Sequence, residues 1–481
     1  MIKVNCLQIS VDGKIVLIGR SSILEGNITQ FSREKILKLY FNLAKDILGY
    51  GVFAVVSKCS GLILLPILTR LFTEQQYGTF DVIISISVFA SILISLSLES
   101  ALVRFWSSGV DRKLNAEKFT TCLITTFISG LLIITISLIV VILPLPVLEN
   151  HQDIKWLIPI AVTSALFQVL FNLTNTCFRM CREIIKFNVM NLLYTIIYVA
   201  GSLLFILEFD HGIAGLFFGS LASGIFCLLI SLFLNRGFLA LNYSSMQLFS
   251  FLKYSVPIMP GVFTSLVNTR ADRFIILNFL GFATAGIYAA VFTYTSVLQV
   301  LVSIFRNAWM PHSIKALSED VVTRDKIYVN ILHSYLLTFI LLGSVFVLCS
   351  AFLMKLILPP VYQSGIVIIP WLVGAVVLHG ASSIANVGTV VTKKTIGNSY
   401  ASILALFSNI LCSIFLIEKY GLKGAAIGSF VSEVLFFGFL LVLSHKQIKI
   451  SFNYLLIAII LLLYSFFCFW LTFFGTEIYQ I

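Results

Sequence analysis

Thirteen stretches of about 20 mostly apolar residues run through this chain of 481 residues. A helix of about 20 apolar residues is long enough to cross the hydrocarbon core of a bilayer. The sequence therefore predicts an all-α, polytopic membrane protein with about 13 transmembrane helices, within a range of 12 to 14. The predicted spans are 47–69, 80–103, 119–142, 155–177, 187–207, 212–234, 251–270, 284–305, 331–354, 366–388, 397–417, 422–443 and 453–474.

The charged residues argue against several other classes of protein. They make up 11% of the chain, against about 25% in an ordinary soluble protein, so a water-exposed domain is excluded. The net charge is +11, but Lys and Arg occur singly or in pairs between apolar runs, and we expect no nucleic-acid partner. Nine cysteines form no CxxC pair, which predicts neither a disulfide framework nor a metal site.

Lys and Arg in the connecting loops predict the orientation. With a cytoplasmic N-terminus, the inside loops hold 17 basic residues and the outside loops hold seven. Basic residues are enriched in cytoplasmic loops, so we expect the N-terminus inside. Residues 1–44 are predicted to be a cytoplasmic tail, with a small β-hairpin around Asp12-Gly13 followed by a basic amphipathic stretch.

An internal repeat organises the spans. The segments 212–223 and 421–432 match at six small-residue positions with a shift of 209, and the turn at Gln76-Tyr77-Gly78 matches Thr284-Ala285-Gly286 with a shift of 208. We therefore predict two six-helix bundles, residues 45–238 and 239–445, followed by an additional transmembrane helix and the C-terminus at 446–481. Each bundle has an even number of spans, which predicts parallel repeats with a substrate path between them.

A few polar residues lie inside predicted spans, where a charge is costly and is often functional. Lys58 is central in the first span and Glu433 in the twelfth. Lys58 is predicted to face a wet cavity or a carboxylate. Glu433 is either an ion-coupling group or a structural contact between helices. Two polar stripes at helical spacing, one in each repeat, either line a lumen, which their repetition favours, or join helices by hydrogen bonds. They are Gln168, Asn172 and Asn175 in the fourth span and His379, Ser383 and Asn386 in the tenth.

Three charges fall in one turn at the predicted end of the seventh span: Arg270, Asp272 and Arg273. They are either an ordinary cluster at the membrane interface or a more specific site. Pro257 and Pro260 favour the specific site, because they remove backbone hydrogen bonds from the same helix and permit a bend.

The chain resembles Wzx-type polysaccharide flippases, of the superfamily that also holds lipid II flippases and multidrug and toxin extruders. The resemblance rests on Leu-Pro-Ile-Leu-Thr-Arg-Leu-Phe-Thr at 65–73, followed by Glu-Gln-Gln-Tyr-Gly at 74–78, and on Tyr-Ser-Val-Pro at 254–257 with Asp-Arg-Phe at 272–274. It covers residues 45 to about 445. It implies two six-helix bundles arranged in a V, alternating access, and a place in the bacterial plasma membrane.

The cargo implied by the resemblance is an oligosaccharide repeat unit on undecaprenyl pyrophosphate, flipped to the outer leaflet to build a polysaccharide such as O-antigen. We expect Lys58, Arg270 and Arg273 to attract the diphosphate and the two stripes to line the glycan path. Asp272 and Glu433 are the candidates for H⁺ or Na⁺ coupling. No other cofactor is expected; the expected partners are the lipid-linked cargo, membrane lipids and the polysaccharide polymerase machinery.

Two alternatives remain at this point. The first is a cation-coupled multidrug or metabolite antiporter of the same fold, which would prefer acidic lumen residues. The second is a membrane glycan polymerase or ligase. Such an enzyme would need a sizeable outer loop with catalytic side chains, whereas the longest predicted outer loops have about a dozen residues. We therefore expect a transporter and not an enzyme.

Overall fold

A computed structural model of the chain describes residues 8–11, 14–17, 60–106, 112–143, 152–240, 242–317, 319–388, 396–450 and 452–474. These residues are almost entirely helical, as the sequence predicts, apart from one small hairpin. Its strands, β1 (Gln8–Val11) and β2 (Lys14–Leu17), pair in antiparallel register with Val11 opposite Lys14. This pairing confirms the predicted hairpin around Asp12-Gly13.

The helices follow in a simple order, joined by short connections. They are α1 (Ser60–Leu71), α2 (Glu74–Ser95), α3 (Leu98–Phe105), α4 (Arg112–Ile142), α5 (Gln152–Met180), α6 (Ile184–Leu207), α7 (Ala214–Leu234), α8 (Ser245–Ser255), α9 (Met259–Ala316), α10 (Val321–Ile357), α11 (Ile369–Ala385), α12 (Ile396–Tyr420), α13 (Leu422–Ile448) and α14 (Tyr454–Phe473). Three 3₁₀ segments lie between them, at Arg236–Phe238, Val256–Ile258 and Pro360–Ile368.

In the described residues, eleven helical segments are long and apolar enough to cross a membrane, and Gly61–Leu71 is a shorter apolar helix. One of the eleven, Ser245–Ala316, contains Gly281, whose φ of 80° and ψ of 176° are not helical. The Tyr288 hydroxyl donates to Asp272 Oδ2 over 2.8 Å, whereas 16 residues of straight helix would separate them by about 24 Å. Helix α9 therefore folds back at Gly281. Counting its two arms separately and adding the short helix gives the thirteen spans that the sequence predicts.

The surface of these helices is apolar and the interior holds polar groups. Ile128, Leu132, Leu462 and Phe466 are among many large apolar side chains that are exposed. In water such a surface would cause the protein to aggregate. In a bilayer the same apolar side chains face the lipid tails. Polar side chains are correspondingly turned inward, so each buried charge needs a partner inside the protein.

The internal repeat is visible in two helical hairpins. Gly212, before α7, and Gly421, before α13, both adopt positive φ, of 51° and 56°. A Cβ at Gly219 would overlap Ser202, and a Cβ at Gly428 would overlap Ser413. Small residues of this kind allow helix backbones to approach closely. The segments that match in sequence therefore form the same close-packed hairpin, α6–α7 in one repeat and α12–α13 in the other.

The two repeats meet where α2 crosses the second arm of α9. A Cβ at Gly78 would overlap the carbonyl oxygen of Phe282, four residues before Gly286. A Cβ at Gly286 would overlap the carbonyl oxygen of Glu74, four residues before Gly78. Each glycine therefore meets the same part of the other helix, as expected for repeats related by a pseudo-two-fold axis.

We call the end of the bundles that holds this crossing the outer end, and the end that holds Arg306 and Asn386 the inner end. The loop charges predict that the inner end is cytoplasmic.

The structure corrects the limits of the predicted second span. Helix α2 begins at Glu74, where Thr73 and Gln76 form a capping box that satisfies free backbone groups at the helix start. It stops at Ser95, because Leu96 and Ser97 adopt left-handed backbone conformations with φ of 46° and 53°. The apolar run read as one span over 80–103 is thus two helices.

The seventh span is also displaced from its predicted limits of 251–270. A 3₁₀ turn at Val256–Ile258 separates α8 from α9, whose first arm runs over 259–280. Pro257 lies in this turn and Pro260 in the first turn of α9, so the two prolines interrupt the regular α-helical hydrogen bonding there. Asp272 and Arg273 consequently lie inside the first arm of α9 and not at the end of a span.

Candidate functional site

The first arm of α9 carries a buried ion cluster that joins the two repeats. Arg270 Nη1 lies 3.3 Å from Asp81 Oδ1, and Arg273 Nε lies 3.2 Å from Asp81 Oδ2. Asp81 belongs to α2, one turn inward from the glycine crossing, so the contact spans the two repeats. The Arg273 side chain is only 1% exposed and that of Asp81 13%. Breaking such a buried pair is costly, because the remaining charge keeps no partner.

Neighbouring groups also hold Arg273 in place. Its Nη1 donates to the carbonyl oxygen of Thr269 over 2.7 Å, and its guanidinium carbon lies 4.0 Å from the centre of the Phe292 ring. A cation over an aromatic face is stabilised by the ring quadrupole, more so when it is desolvated. The second arm of α9 therefore helps to bury this charge.

Asp272, between these two arginines in the chain, makes a separate set of polar contacts. Its Oδ2 accepts hydrogen bonds from the hydroxyls of Tyr288, over 2.8 Å, and Ser429, over 2.7 Å. Its Oδ1 has no hydrogen-bond partner among the described residues, and neither does the side-chain oxygen of Asn268. A buried carboxylate oxygen without a donor is unfavourable, so this atom is available to a proton, a cation or water.

These oxygens line a cavity of about 80 Å³, which we call the central cavity. This volume is too small for a sugar ring, but it has room for water or a monovalent cation. Its polar lining is rich in oxygen atoms from four segments of the fold, the two arms of α9, α12 and α13: Asn268, Thr269, Asp272, Gln299, Asn409, Ser429, Ser432 and Glu433.

The structure brings together His379 and Glu433, which the sequence predicts for different roles. His379 Nδ1 lies 3.4 Å from Glu433 Oε2, with the glutamate side chain 13% exposed. His379 also lines both the central cavity and a second, larger one. The pair therefore separates the acidic central cavity from the space on its inner side.

The larger space, which we call the inner cavity, has a volume of about 260 Å³ and lies towards the inner end. Ser383 and Asn386, both predicted to line a path, are part of its wall. Among the described residues, its lining includes one arginine and no carboxylate: Arg306, Trp309, Met310, Ser313, Tyr328, His379, Ser382, Ser383, Asn386, Val387, Asn398, Phe436 and Leu440. This cavity has a positive group, amides and hydroxyls, which suit an anion or a sugar.

The corresponding stripe in α5 is divided. Gln168 and Asn172 are exposed, whereas Asn175 is buried and donates to Asn191 Oδ1 of α6 over 3.1 Å. Asn175 thus joins two helices of one bundle, the kind of contact by which polar side chains hold membrane helices together. Gln168 and Asn172 remain predicted lining residues of the N-terminal bundle.

Lys58 lies outside the described residues. Three other groups, Asp81, Tyr288 and Arg306, were not predicted as site residues. The predicted span 80–103 makes Asp81 its second residue, and Arg306 counts as a basic residue of a predicted inside loop. One sequence signal pointed to Asp81: it follows Gly78, which belongs to the repeated turn, by only three residues.

The family model of polysaccharide biosynthesis proteins matches residues 43–317, more than half of the 481 residues. The chain belongs to the polysaccharide biosynthesis protein family. The matched segment includes the glycine crossing and the ion cluster around Asp81. No curated protein matches the chain.

This polysaccharide biosynthesis protein has the fold of MATE transporters. It is similar to a multidrug resistance MATE family transporter of the MOP superfamily in an inward-facing conformation, with a TM-score of 0.65, 13% identity, and coverage of 82% of this chain and 98% of that one. It is also similar to a mutant of VcmN, a MATE transporter of Vibrio cholerae, with a TM-score of 0.59, 16% identity, and coverage of 88% and 99%. The family match thus places the chain among polysaccharide biosynthesis proteins, and the likeness to these structures shows a MATE-type fold of apolar helices long enough to cross a membrane.

Proposed function

We propose that the protein moves an oligosaccharide repeat unit, linked to undecaprenyl pyrophosphate, from the cytoplasmic to the outer leaflet of the bacterial plasma membrane. The family description supports a role in polysaccharide biosynthesis. A lipid-linked diphosphate cannot cross the hydrocarbon core unaided, because burying its charge without compensation is costly. A transporter that exposes a polar path to each leaflet in turn removes this barrier.

The inner cavity is the observation that carries this proposal. It places an arginine beside amide and hydroxyl groups inside a bundle whose surface is apolar. The head group of the cargo needs the same combination, a positive charge for phosphate and hydrogen-bonding groups for sugar hydroxyls. The polyprenyl tail would remain in the lipid beside the bundle.

Deletion of the gene followed by extraction of lipid-linked oligosaccharides tests the proposal. We expect undecaprenyl-linked repeat units to accumulate on the cytoplasmic side and the surface polysaccharide to be lost, with both restored by the intact chain. Normal surface polysaccharide together with altered drug sensitivity would contradict it and favour the multidrug antiporter. That alternative is supported by the MATE-type fold and by the acidic lining of the central cavity.

We further propose that transport is coupled to H⁺ or Na⁺ at the central cavity, with Asp272 as the principal group and Glu433 as a second. The unpartnered Oδ1 of Asp272 and the oxygen-rich lining support this role, because hard cations prefer oxygen ligands. Asp272 is buried and accepts hydrogen bonds from Tyr288 and Ser429, which lie on two other segments. A change in the charge of Asp272 would therefore alter both hydrogen bonds.

Neutral substitutions test the coupling. We expect Asp272→Asn to abolish the dependence of transport on the ion gradient, and Glu433→Gln to weaken it. Transport would be measured in membrane vesicles with imposed H⁺ and Na⁺ gradients. Glu99→Gln is the control, because Glu99 pairs with Arg179 at an exposed position, 44% and 48% accessible. Transport that keeps its gradient dependence in both site variants would reject the coupling role.

A further inference from the structure

Helix α8 connects the two bundles at the inner end but is too short to cross a membrane. Its 11 residues, Ser245–Ser255, have a length of about 16 Å, roughly half the thickness of a hydrocarbon core. It lies at the inner end because the first arm of α9, which follows it, runs from there to the fold-back at Gly281, beside the outer crossing. The chemistry of the two faces of α8 indicates what each of them contacts.

One face of α8 is fixed to the first bundle. Gln247 Nε2 donates to Glu117 Oε2 of α4 over 3.4 Å. The buried ring of Phe251 lies 5.4 Å from that of Phe105, the last residue of α3, and Ser255, one turn further on, is also buried. These contacts determine which side of α8 points away from the protein.

The other face is apolar and carries one cation. Met246 and Phe249 are 83% and 71% exposed. Lys253 is also exposed and follows Met246 by seven residues, which places all three on one side of the helix. A helix of this kind lies in the plane of a membrane interface, with its apolar side chains at the boundary of the acyl chains. The amine of a lysine can reach the head groups from there, because its stem lies along the apolar surface.

A second basic residue lies beside this face. Arg104 immediately precedes Phe105 and Lys253 immediately precedes Tyr254, and the ring centres of Phe105 and Tyr254 are 5.8 Å apart. Two exposed basic residues therefore flank one contact between α3 and α8. Neither has an ion pair or a side-chain hydrogen bond within the part of the chain that the structure describes. Their charges are thus available to an anion at the membrane surface.

We propose that α8 lies in the interface of the leaflet at the inner end, where Arg104 and Lys253 bind the head group of an anionic phospholipid. Met246 and Phe249 lie among its acyl chains. A lipid fits this surface because it supplies an anion and an apolar chain together, at a membrane surface whose negative potential attracts basic residues. The site is separate from both cavities and does not depend on the identity of the cargo.

The accessibility of spin labels in lipid nanodiscs tests the position of α8. In a cysteine-free full-length chain, labels at Met246→Cys and Phe249→Cys are exposed to oxygen, which concentrates among acyl chains, and to a water-soluble nickel chelate. We expect collisions with oxygen to dominate at both positions, as at the lipid-facing reference Leu462→Cys. The chelate should dominate at Glu208→Cys, in the exposed outer turn after α6. Dominant collisions with the chelate on α8 would overturn the inference, and protection from both reagents would overturn it in favour of a covering protein.

The head-group preference is measured at the same place. A fluorophore at Phe249→Cys is quenched by phosphatidylglycerol or phosphatidylcholine that carries a nitroxide on its acyl chain. We expect phosphatidylglycerol to quench at about fivefold lower concentration, the effect of about one basic residue near an anionic surface. Arg104→Gln with Lys253→Gln should bring the two lipids to equal effect, whereas Arg104→Lys with Lys253→Arg should keep the preference.

Lys186→Gln is the matched control. Lys186 is an exposed lysine that already pairs with Glu183, with an N–O distance of 3.0 Å, so its loss should leave the lipid preference unchanged. Equal quenching by the two lipids without these substitutions would overturn the anionic site. A preference that survives Arg104→Gln with Lys253→Gln would overturn its assignment to these residues. Neither result would affect the proposed transport of a lipid-linked oligosaccharide, which the lipid extraction tests separately.

Discussion

Asp81 is the carboxylate on which the ion cluster depends. It is the shared partner of Arg270 and Arg273, and it lies on the other repeat. Without it, the buried guanidinium of Arg273 and the half-buried one of Arg270 would both lose their carboxylate partner. The exposed pair Glu99–Arg179 has similar chemistry but is open to solvent or lipid head groups, with an N–O distance of 3.1 Å.

These two carboxylates predict very different costs of neutralisation. Asp81→Asn should destabilise the protein by about 3–5 kcal/mol, the typical result of breaking a buried pair. Glu99→Gln should cost less than about 1 kcal/mol, as for exposed pairs. Thermal unfolding of the two variants in the same detergent measures the difference. Equal unfolding temperatures would show that Asp81 does not hold the cluster together.

Sequence reasoning identified most of the charged residues of the site but not their partners. Arg270, Asp272, Arg273, His379 and Glu433 were recognisable, because a charged or polar side chain within or beside an apolar run needs an explanation. Asp81 was not recognised, because an error of six residues in the start of α2 placed it at a membrane interface. The pairing of His379 with Glu433 was also not predictable, since it depends on how α11 packs against α13.

At the level of helices, small residues decide where the chain packs closely. The repeated glycines near 212–219 and 421–428 predicted equivalent hairpins, and the structure confirms them. No feature of the sequence predicts the break between α2 and α3, because Leu96 and Ser97 are not residues that usually adopt left-handed conformations. Tertiary packing determines that break, and a single sequence does not reveal it.

The crossing of α2 and α9 predicts a sharp difference between two glycines. Gly286→Ala should destabilise the protein by about 1–3 kcal/mol, the usual range for overpacking, because the added Cβ meets backbone atoms of Glu74 and Gly78. Gly438→Ala is the control in α13, where a Cβ meets nothing within 4 Å. Its replacement should be neutral or stabilise the helix by about 0.5–1 kcal/mol. Unfolding temperatures in detergent distinguish the two, and a tolerated Gly286→Ala would contradict the close crossing.

In the whole molecule, one group of contacts between the repeats lies at the outer end, and a second lies at the inner end, where α8 packs against α3 and α4. Besides the glycine crossing, the Tyr362 hydroxyl donates to the Phe72 carbonyl oxygen over 3.4 Å, and Arg70 Nη2 donates to the Leu356 carbonyl oxygen over 3.4 Å. The proposed alternating access requires these contacts to separate when the path opens outward. Holding them together should therefore stop transport.

Cross-linking tests this requirement. In a cysteine-free background, Arg70→Cys with Leu356→Cys would be joined by a short, reducible bifunctional reagent. Transport should cease on joining and return on reduction. Glu99→Cys with Arg179→Cys provides the control, since this pair lies within one bundle and its joining should leave transport intact. Continued transport by the joined outer pair would show that the outer end does not open.

The contact between Gly78 and Gly286 is the one expected if the chain arose by duplication of a six-helix unit. Both glycines occupy the same position in their repeats, and each meets the other through the same atoms. A homodimer of one six-helix unit would need only a single glycine at this position, facing its own copy across the two-fold axis. Duplication and fusion of such a unit would preserve the contact without any new residue. Each copy could then change elsewhere, and the acidic central cavity is lined by residues of the second repeat.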